Sequence, residues 1–460
     1  MPDKSINTDT EGYDYILVGV GSASCWITSR LSQLLPDHQS LVLEAGEHRR
    51  DYPKVQTPGL SSTLQSNPLY DWQYASAPEP GLNNRCAINS HSVWSSQGMQ
   101  DCYKRWQVES SEPGVNDDVR SLDHAFEELG HPTEATEFSE SSPGAVTVTN
   151  AVDSSNGERS HAAISFLELY AIALAAAGGL NSTGVRYTYH REELVVTAGE
   201  IILCAAVFGS PAILERSGIG SKKFLAAANV PILYELPRVG KNLQDHLNCS
   251  LSCETQDHIH TCNEAVRNHE ESKAALMEYE RSRTGRMSEA PYETQELTES
   301  VKHWVEDETN PSLRAQYAVI QKTVESPIEA TATTFILLSQ RSQDTEFFPK
   351  GTPPFVDGNY PEIRFNYLTH PLDMEILARH LGLIERLFQK PTFTAIAKPN
   401  GRRLPRSFPY PISSLEDVKA ILPINAATNY HPSSTCSMMR KDLGGVVDER
   451  LRMIYSEAKP

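Results

Sequence analysis

The stretch YDYILVGVGSASCW, Tyr13 to Trp26, decides how the chain is read. Its first half, YDYILVG, is a short apolar run with β-branched residues, the pattern of a buried strand. A Gly-x-Gly pair, Gly19 and Gly21, follows at once. Beyond it Ala23, Trp26, Ile27, Leu31 and Leu34 recur at three- to four-residue spacing, which predicts an amphipathic helix. PDH at 36–38 breaks that helix, and SLVLEAG at 40–46 supplies a second buried strand ending in Glu44. Strand, glycine turn, helix, strand and acid in this order make a βαβ unit with the layout of a dinucleotide site.

Each position in the turn has a physical task. Gly19 permits the tight turn after the strand, and Gly21 lets the backbone approach a pyrophosphate. The third place of the motif lets helix and sheet pack closely, and Ser24, small but not glycine, occupies it here. The helix start offers unpaired N–H groups and a positive dipole end to phosphate. Glu44 lies 25 residues after Gly19, where a carboxylate can accept hydrogen bonds from both ribose hydroxyls and would repel a 2′-phosphate. NADP is therefore disfavoured, while spacing alone does not separate FAD from NAD. An ordinary βαβ unit with a glycine turn is the plainer alternative.

A chain of 460 residues can bury a large core and suggests two or three structural units. Its formal charge of −18 argues against non-specific nucleic-acid binding, which needs Lys and Arg to displace counterions. The polar start MPDKSINTDTEGYDY lacks the apolar centre of a signal peptide, and no run approaches the roughly 18 apolar residues of a membrane span. A cytoplasmic location without a membrane partner is the expectation. Eight cysteines are scattered rather than densely paired, as in reduced, mostly buried thiols. Nothing in the sequence sets the oligomeric state.

Residues 51–160 are rich in Pro, Ser, Asn and Gly and read as loops and short elements. Strand character returns in REELVVTAGEIILCAA at 191–206, and ELPRVGKNLQDH at 235–246 is a turn-rich connection. Residues 265–310 are charged and in part helical. TTFILLS and PEIRFNYL are strand candidates, and LDMEILARHLGLIERLFQ at 372–389 is the best amphipathic helix in the chain. The order predicts an α/β fold in which a dinucleotide domain is assembled from separated pieces of chain around a second domain.

Several stretches together resemble the glucose–methanol–choline (GMC) oxidoreductases, and its fungal branch in particular. They are YDYILVGVGSASC with LVLEAGE, EIILCAAVFGSPAILERSGIG at 200–220, LPRVGKNLQDH at 236–246, and NYHPSSTCSMM with GGVVDERLR at 429–452. FNYLTHPLDMEILARH and KPNGRRLP carry the fungal likeness. The resemblance implies a discontinuous Rossmann-like FAD-binding domain and an α+β substrate domain with an antiparallel sheet. On that reading the FAD-binding domain spans 12–250, the substrate-binding domain 251–424, and 425–460 returns to the first. It further implies FAD contacts at Gly19, Gly21, Ser22, Ala23, Ser24, Glu44, Ala45, Trp94 and Tyr430. His431, in the His-Pro-x-x-Thr segment, is implied as the base that takes the proton of a small alcohol while the carbon-bound hydrogen leaves to the flavin. Histidine suits that task because its unperturbed pKa lies near working pH.

The sequence departs from the family pattern in places. Only Trp94-Ser95-Ser96 answers to the Gly-Gly-Ser-Ser stretch that approaches the flavin. The strand expected after GERSHAAISFL is shortened or lost. Ala206 and Val207 replace small residues before Ser210-Pro211, and Gly209 replaces an Asn. Ser433 and Ser434 stand where Val-Gly is typical, and no counterpart of the family's second catalytic residue follows VVDERLR. These losses keep three other readings open: an inactive relative or shortened gene product, a non-redox lyase or cyclase on the same fold, and an NAD dehydrogenase. The cluster CSLSCETQDHIHTC fits no standard zinc spacing, so no metal is expected. No Gly-x-Ser-x-Gly elbow marks a hydrolase.

Overall fold

The computed structural model describes residues 12–45, 52–57, 60, 64, 67, 74–89, 125, 128–129, 133–134, 145–146, 184–189, 192–258, 269–282, 292–296, 309–326, 332–336, 362–398, 400–404, 412 and 414–454. The chain opens with strand β1 (Tyr13–Val18), helix α1 (Ser22–Leu34) and strand β2 (Ser40–Leu43). Ile16, Leu17 and Val18 are buried, as expected of a strand covered on both faces. After short elements between Pro53 and Asn89, the two-residue strands β3 (Thr133–Glu134) and β4 (Ala145–Val146) follow, then β5 (Gly184–Tyr189) and the long β6 (Glu192–Leu203). Helix α2 (Ala206–Arg216) leaves β6 directly.

The first sheet has the order β2-β1-β6-β5. β1 pairs parallel with β2 on one side, Tyr15 opposite Ser40, and parallel with β6 on the other, Tyr15 opposite Glu200. β5 closes the sheet as an antiparallel hairpin partner of β6. The carboxyl ends of β2, β1 and β6 therefore lie side by side. β1 is the point at which the chain departs to opposite sides of the sheet, where ligands bind in open α/β sheets. A strand was expected to be shortened or lost after the GERSHAAISFL region. Of the stretch that follows it, 168–183 lie outside the described residues, and the described remainder is β5, with Val185 and Tyr187 buried against Ile16, Val18 and Leu43.

The later elements are strand β7 (Leu247–Asn248), helix α3 (His269–Ser282), strand β8 (Tyr292–Glu296), helix α4 (Pro311–Glu325) and strand β9 (Ala332–Ile336). Helix α5 (Pro371–Leu387), helix α6 (Leu415–Asn425) and strand β10 (Ala427–Thr428) complete the set used below. A second sheet runs β9-β8-β4-β3, antiparallel except for the last pair, as an α+β unit requires. α5 is the helix predicted at 372–389. His370 caps it by accepting the Leu372 N–H at 3.1 Å, and Pro371 at its first position needs no donor. α6 is capped by Ser414, which accepts from Asp417 N–H at 3.1 Å. The two helices pack together over a core that includes Leu82, Phe208, Phe365, Leu381 and Leu422.

PEIRFNYL does not form the expected strand. Ile363 makes one isolated bridge to Ser76, and the amides of Phe365 and Asn366 are taken elsewhere. The carboxylate of Glu79, 1% exposed, accepts the N–H groups of Phe365 and Asn366, each at 2.8 Å. Asn366 and Leu368 then turn left-handed, at φ 57° and 53°. A buried acid has replaced the neighbouring strand as acceptor, so period-two patterning misled. Among the described residues, no helix is long and apolar enough to cross a membrane.

Candidate active site

The glycine turn closes the carboxyl end of β1. Gly19 sits at φ +97°, and a Cβ there would lie 2.5 Å from the carbonyl oxygen of Cys204, so this position excludes any side chain. Gly21 is different. A Cβ there would meet nothing within 4 Å, so open space faces the start of α1. The first helical bond runs from Cys25 N–H to Gly21 C=O at 3.0 Å, leaving the amides of Ser22, Ala23 and Ser24 without an intrahelical acceptor. The helix has no acidic residue in its first turn and no side-chain cap. Open space in front of three amides at a positive dipole end fits a pyrophosphate.

The structure gives Ser24 and Glu44 specific surroundings. Ser24 is fully buried, and its hydroxyl has no partner among the described residues. Glu44 follows β2, and its Oε2 accepts the Val20 N–H at 2.5 Å. One carboxylate oxygen is thus committed to the turn itself. Ala45 is exposed just beyond it. Burial, and then the Glu44 carboxylate, push the Cys25 thiol upward, so this buried cysteine is an inert packing group. Trp94 lies outside the described residues.

The second half of the site is a short ladder. Leu247 and Asn248 of β7 pair antiparallel with Thr428 and Ala427 of β10. The pairing continues past the strands: Asn429 N–H donates to His246 C=O at 2.8 Å, and Gln244 and Ser433 exchange backbone bonds at 3.1 and 2.8 Å. His431 is held between these rungs. Its backbone N–H donates to Asp245 Oδ1 at 2.9 Å. The other oxygen of Asp245 accepts from the Thr428 hydroxyl at 2.5 Å and from the Tyr367 hydroxyl. Three donors, two from the 428–431 segment and one from Tyr367, converge on one carboxylate, which fixes the loop that carries His431. Asp245 stands in the quoted LPRVGKNLQDH stretch, but nothing in its spacing pointed to this role.

Tyr430 and Ser434 flank His431 with φ of 65° and 73°. Non-glycine residues in this region cost about 1–2 kcal/mol each and concentrate where a site dictates the backbone. The Tyr430 amide donates to the Thr428 hydroxyl at 2.9 Å. Burial lowers the His431 pKa, as does the neighbouring His246, while Asp245 opposes them. The His431 imidazole is therefore held towards its neutral, proton-accepting form.

The two halves are joined through α2. The Thr435 hydroxyl donates to Val207 C=O at 2.6 Å, in the first turn of α2, and Gly240 N–H donates to Thr435 C=O at 3.0 Å. Cys204, against which Gly19 packs, lies two residues before that helix. Ala206, at φ 58°, makes the sharp corner between β6 and α2. The fold thus ties the glycine turn and the His431 segment to the same carboxyl edge of the first sheet. Of the cysteine and histidine cluster, Cys249 and Cys253 are free and partly buried, and burial pushes Cys249 up to about 12. His260 and Cys262 lie outside the described residues, and among those described no group of three or more His, Cys, Asp or Glu is placed to hold a metal.

Two family models described as GMC oxidoreductase match the chain, an N-terminal one over residues 89–248 and a C-terminal one over 357–457. An oxygen-dependent choline dehydrogenase of Paraburkholderia phytofirmans is 25% identical over 519 residues, covering 97% of this chain and 88% of that one. An FAD-dependent oxidoreductase from Chaetomium thermophilum has a similar fold, with a TM-score of 0.80 at 20% identity over 96% of this chain and 92% of that one. A formate oxidase gives 0.76 at 18% identity, with 97% and 92% covered.

Proposed function

The chain belongs to the GMC oxidoreductase family, and from that premise we propose that it is an FAD-dependent oxidoreductase acting on the CH–OH group of a small alcohol. The observation that carries this reading is the joint position of a phosphate-ready helix start and a tethered, deprotonation-prone histidine on one sheet edge. In this proposal the turn at Gly19 and Gly21, with the amides of Ser22, Ala23 and Ser24, holds the pyrophosphate. Glu44 and Ala45 border the adenosine ribose. Tyr430, and Trp94 by resemblance, lie towards the flavin. When bound, the flavin supplies the two-electron acceptor for the alcohol carbon.

The chain's own residues do the proton work. Neutral His431 accepts the hydroxyl proton of the substrate, which leaves the oxygen electron-rich and the carbon ready to release its hydrogen. Asp245 does not touch the substrate. It holds the His431 backbone from below, while Tyr367 and Thr428 hold Asp245. Partial burial keeps the imidazole neutral at a pH where exposed histidines begin to protonate.

The test begins with the visible spectrum of the purified protein. A bound flavin, and its bleaching by a small alcohol without oxygen, are expected. His431→Ala should retain the flavin colour and lose bleaching by about 10²- to 10⁴-fold, the usual share of a general base. A protein that takes up no FAD sinks the cofactor assignment. A His431 variant that bleaches at the wild-type rate removes His431 from the chemistry.

A further inference from the structure

The ladder that carries His431 brings a second imidazole beside it. The His246 and His431 rings have centroids 5.4 Å apart and are tilted by 38°. His246 immediately follows Asp245, and its carbonyl is bonded to Asn429, two residues before His431. The same backbone bonds therefore fix both rings. Their surroundings differ. His431 is partly buried, whereas His246 is exposed to solvent. The titratable groups facing His431 are His246 from the opposing segment, Asp245 beneath it, and Tyr367 behind Asp245. Gln244, on the same segment, meets Gln316 of α4 at 3.3 Å, and Asn248 meets Asn429 at 2.5 Å, so uncharged amides flank the pair.

A base that is withdrawn from water must lose its proton before it can act again. We infer that His246 is the proton outlet of this site, taking from His431 the proton that came from the substrate hydroxyl and passing it to water. This inference rests on His431 being the base. The balance is simple: the alcohol O–H breaks as an N–H forms on His431, that N–H breaks as one forms on His246, and water accepts the proton. No electrons move in the relay.

Two measurements test the outlet with His246→Gln, a change at an exposed side chain that removes titration and keeps polarity. The first needs no activity. Histidine-labelled protein without added cofactor is titrated by NMR, and His431 should titrate at a higher pH once His246 is gone, because a neighbouring positive charge no longer opposes its protonation. The second compares half-reactions of the flavin-loaded protein. Bleaching in the first turnover should persist, while steady-state turnover in weak buffer falls about tenfold or more and recovers when free imidazole is added. An unchanged His431 titration, or wild-type turnover in weak buffer, overturns the outlet. A His431→Gln variant run alongside separates the two ideas: if it bleaches normally, the base assignment fails whatever His246 does.

Discussion

Replacing either turn glycine by alanine should damage the protein in different ways. At Gly21 the backbone, φ −81° and ψ −175°, suits any residue, and an added methyl meets nothing within 4 Å. Alanine is a poorer N-cap than glycine but loses less chain entropy on folding, and the two effects leave stability within about 0.5 kcal/mol of wild type. The methyl does stand in the open space before the amides of Ser22, Ala23 and Ser24. Displacing a pyrophosphate from two such amides, at about 1 kcal/mol each, weakens FAD binding about 30-fold or more. At Gly19 the backbone is left-handed, and the methyl would lie 2.5 Å from Cys204 O and 3.0 Å from Ala205 Cα. The conformational cost of about 1–2 kcal/mol and the overlap cost of about 1–3 kcal/mol fall on folding itself. Thermal melts of both variants without cofactor, followed by FAD titration using flavin fluorescence, separate the cases. A Gly21→Ala protein that melts several degrees low, or that binds FAD as wild type does, would refute this account of the turn. So would a Gly19→Ala protein of normal stability.

Three further outcomes follow from the geometry. Asp245→Asn turns an acceptor of three hydrogen bonds into a group that must point an NH₂ at one donor, so it should lose about 1–3 kcal/mol of stability in a melt and slow flavin bleaching. His380 in α5 is 5% exposed, and burial lowers its pKa to about 4, below the ordinary value of 6.5. The unfolded chain thus binds the extra proton first as pH falls from about 6.5 to about 4, and stability drops by on the order of 3 kcal/mol across that window. Denaturant titrations at several pH values should show that limb flattened in His380→Gln. Ser24→Ala removes from a helix a buried hydroxyl that has no partner among the described residues, and should raise stability by about 1 kcal/mol in the same assay, with FAD affinity unchanged.

Much of the first sheet was legible because its signals are local. A buried strand, a glycine pair and a 3.6-residue repeat locate β1, α1 and β2 almost without tertiary information, although α1 buries Ser24 and Cys25 and leaves Ala23 and Leu34 of the expected apolar face exposed. α5 was legible for the same reason. The partner strand β6 was readable, but its hairpin with β5 was not, since GVRYTY follows an Ala- and Gly-rich run that masks its start. The failure at PEIRFNYL is more instructive. Its apolar alternation is real, yet Glu79, 286 residues before Phe365, captures its backbone amides. No window of sequence contains that contact. His431 was visible through family resemblance, whereas Asp245 and His246 acquire their roles only when residues 244–248 are laid against 427–433.

The bond from Val20 to Glu44 bears on any attempt to change the nucleotide that this chain prefers. Exchanging the acid after β2 for a small or basic residue is the obvious step towards a 2′-phosphate. Here the same carboxylate braces the loop between Gly19 and Gly21. Its removal would release the Val20 amide and, on the proposed site, slacken the pyrophosphate cradle along with the sugar contact. On the proposed site, selectivity for the sugar and grip on the phosphates are then one trait, and a redesign of the first must replace the brace before it can keep the second.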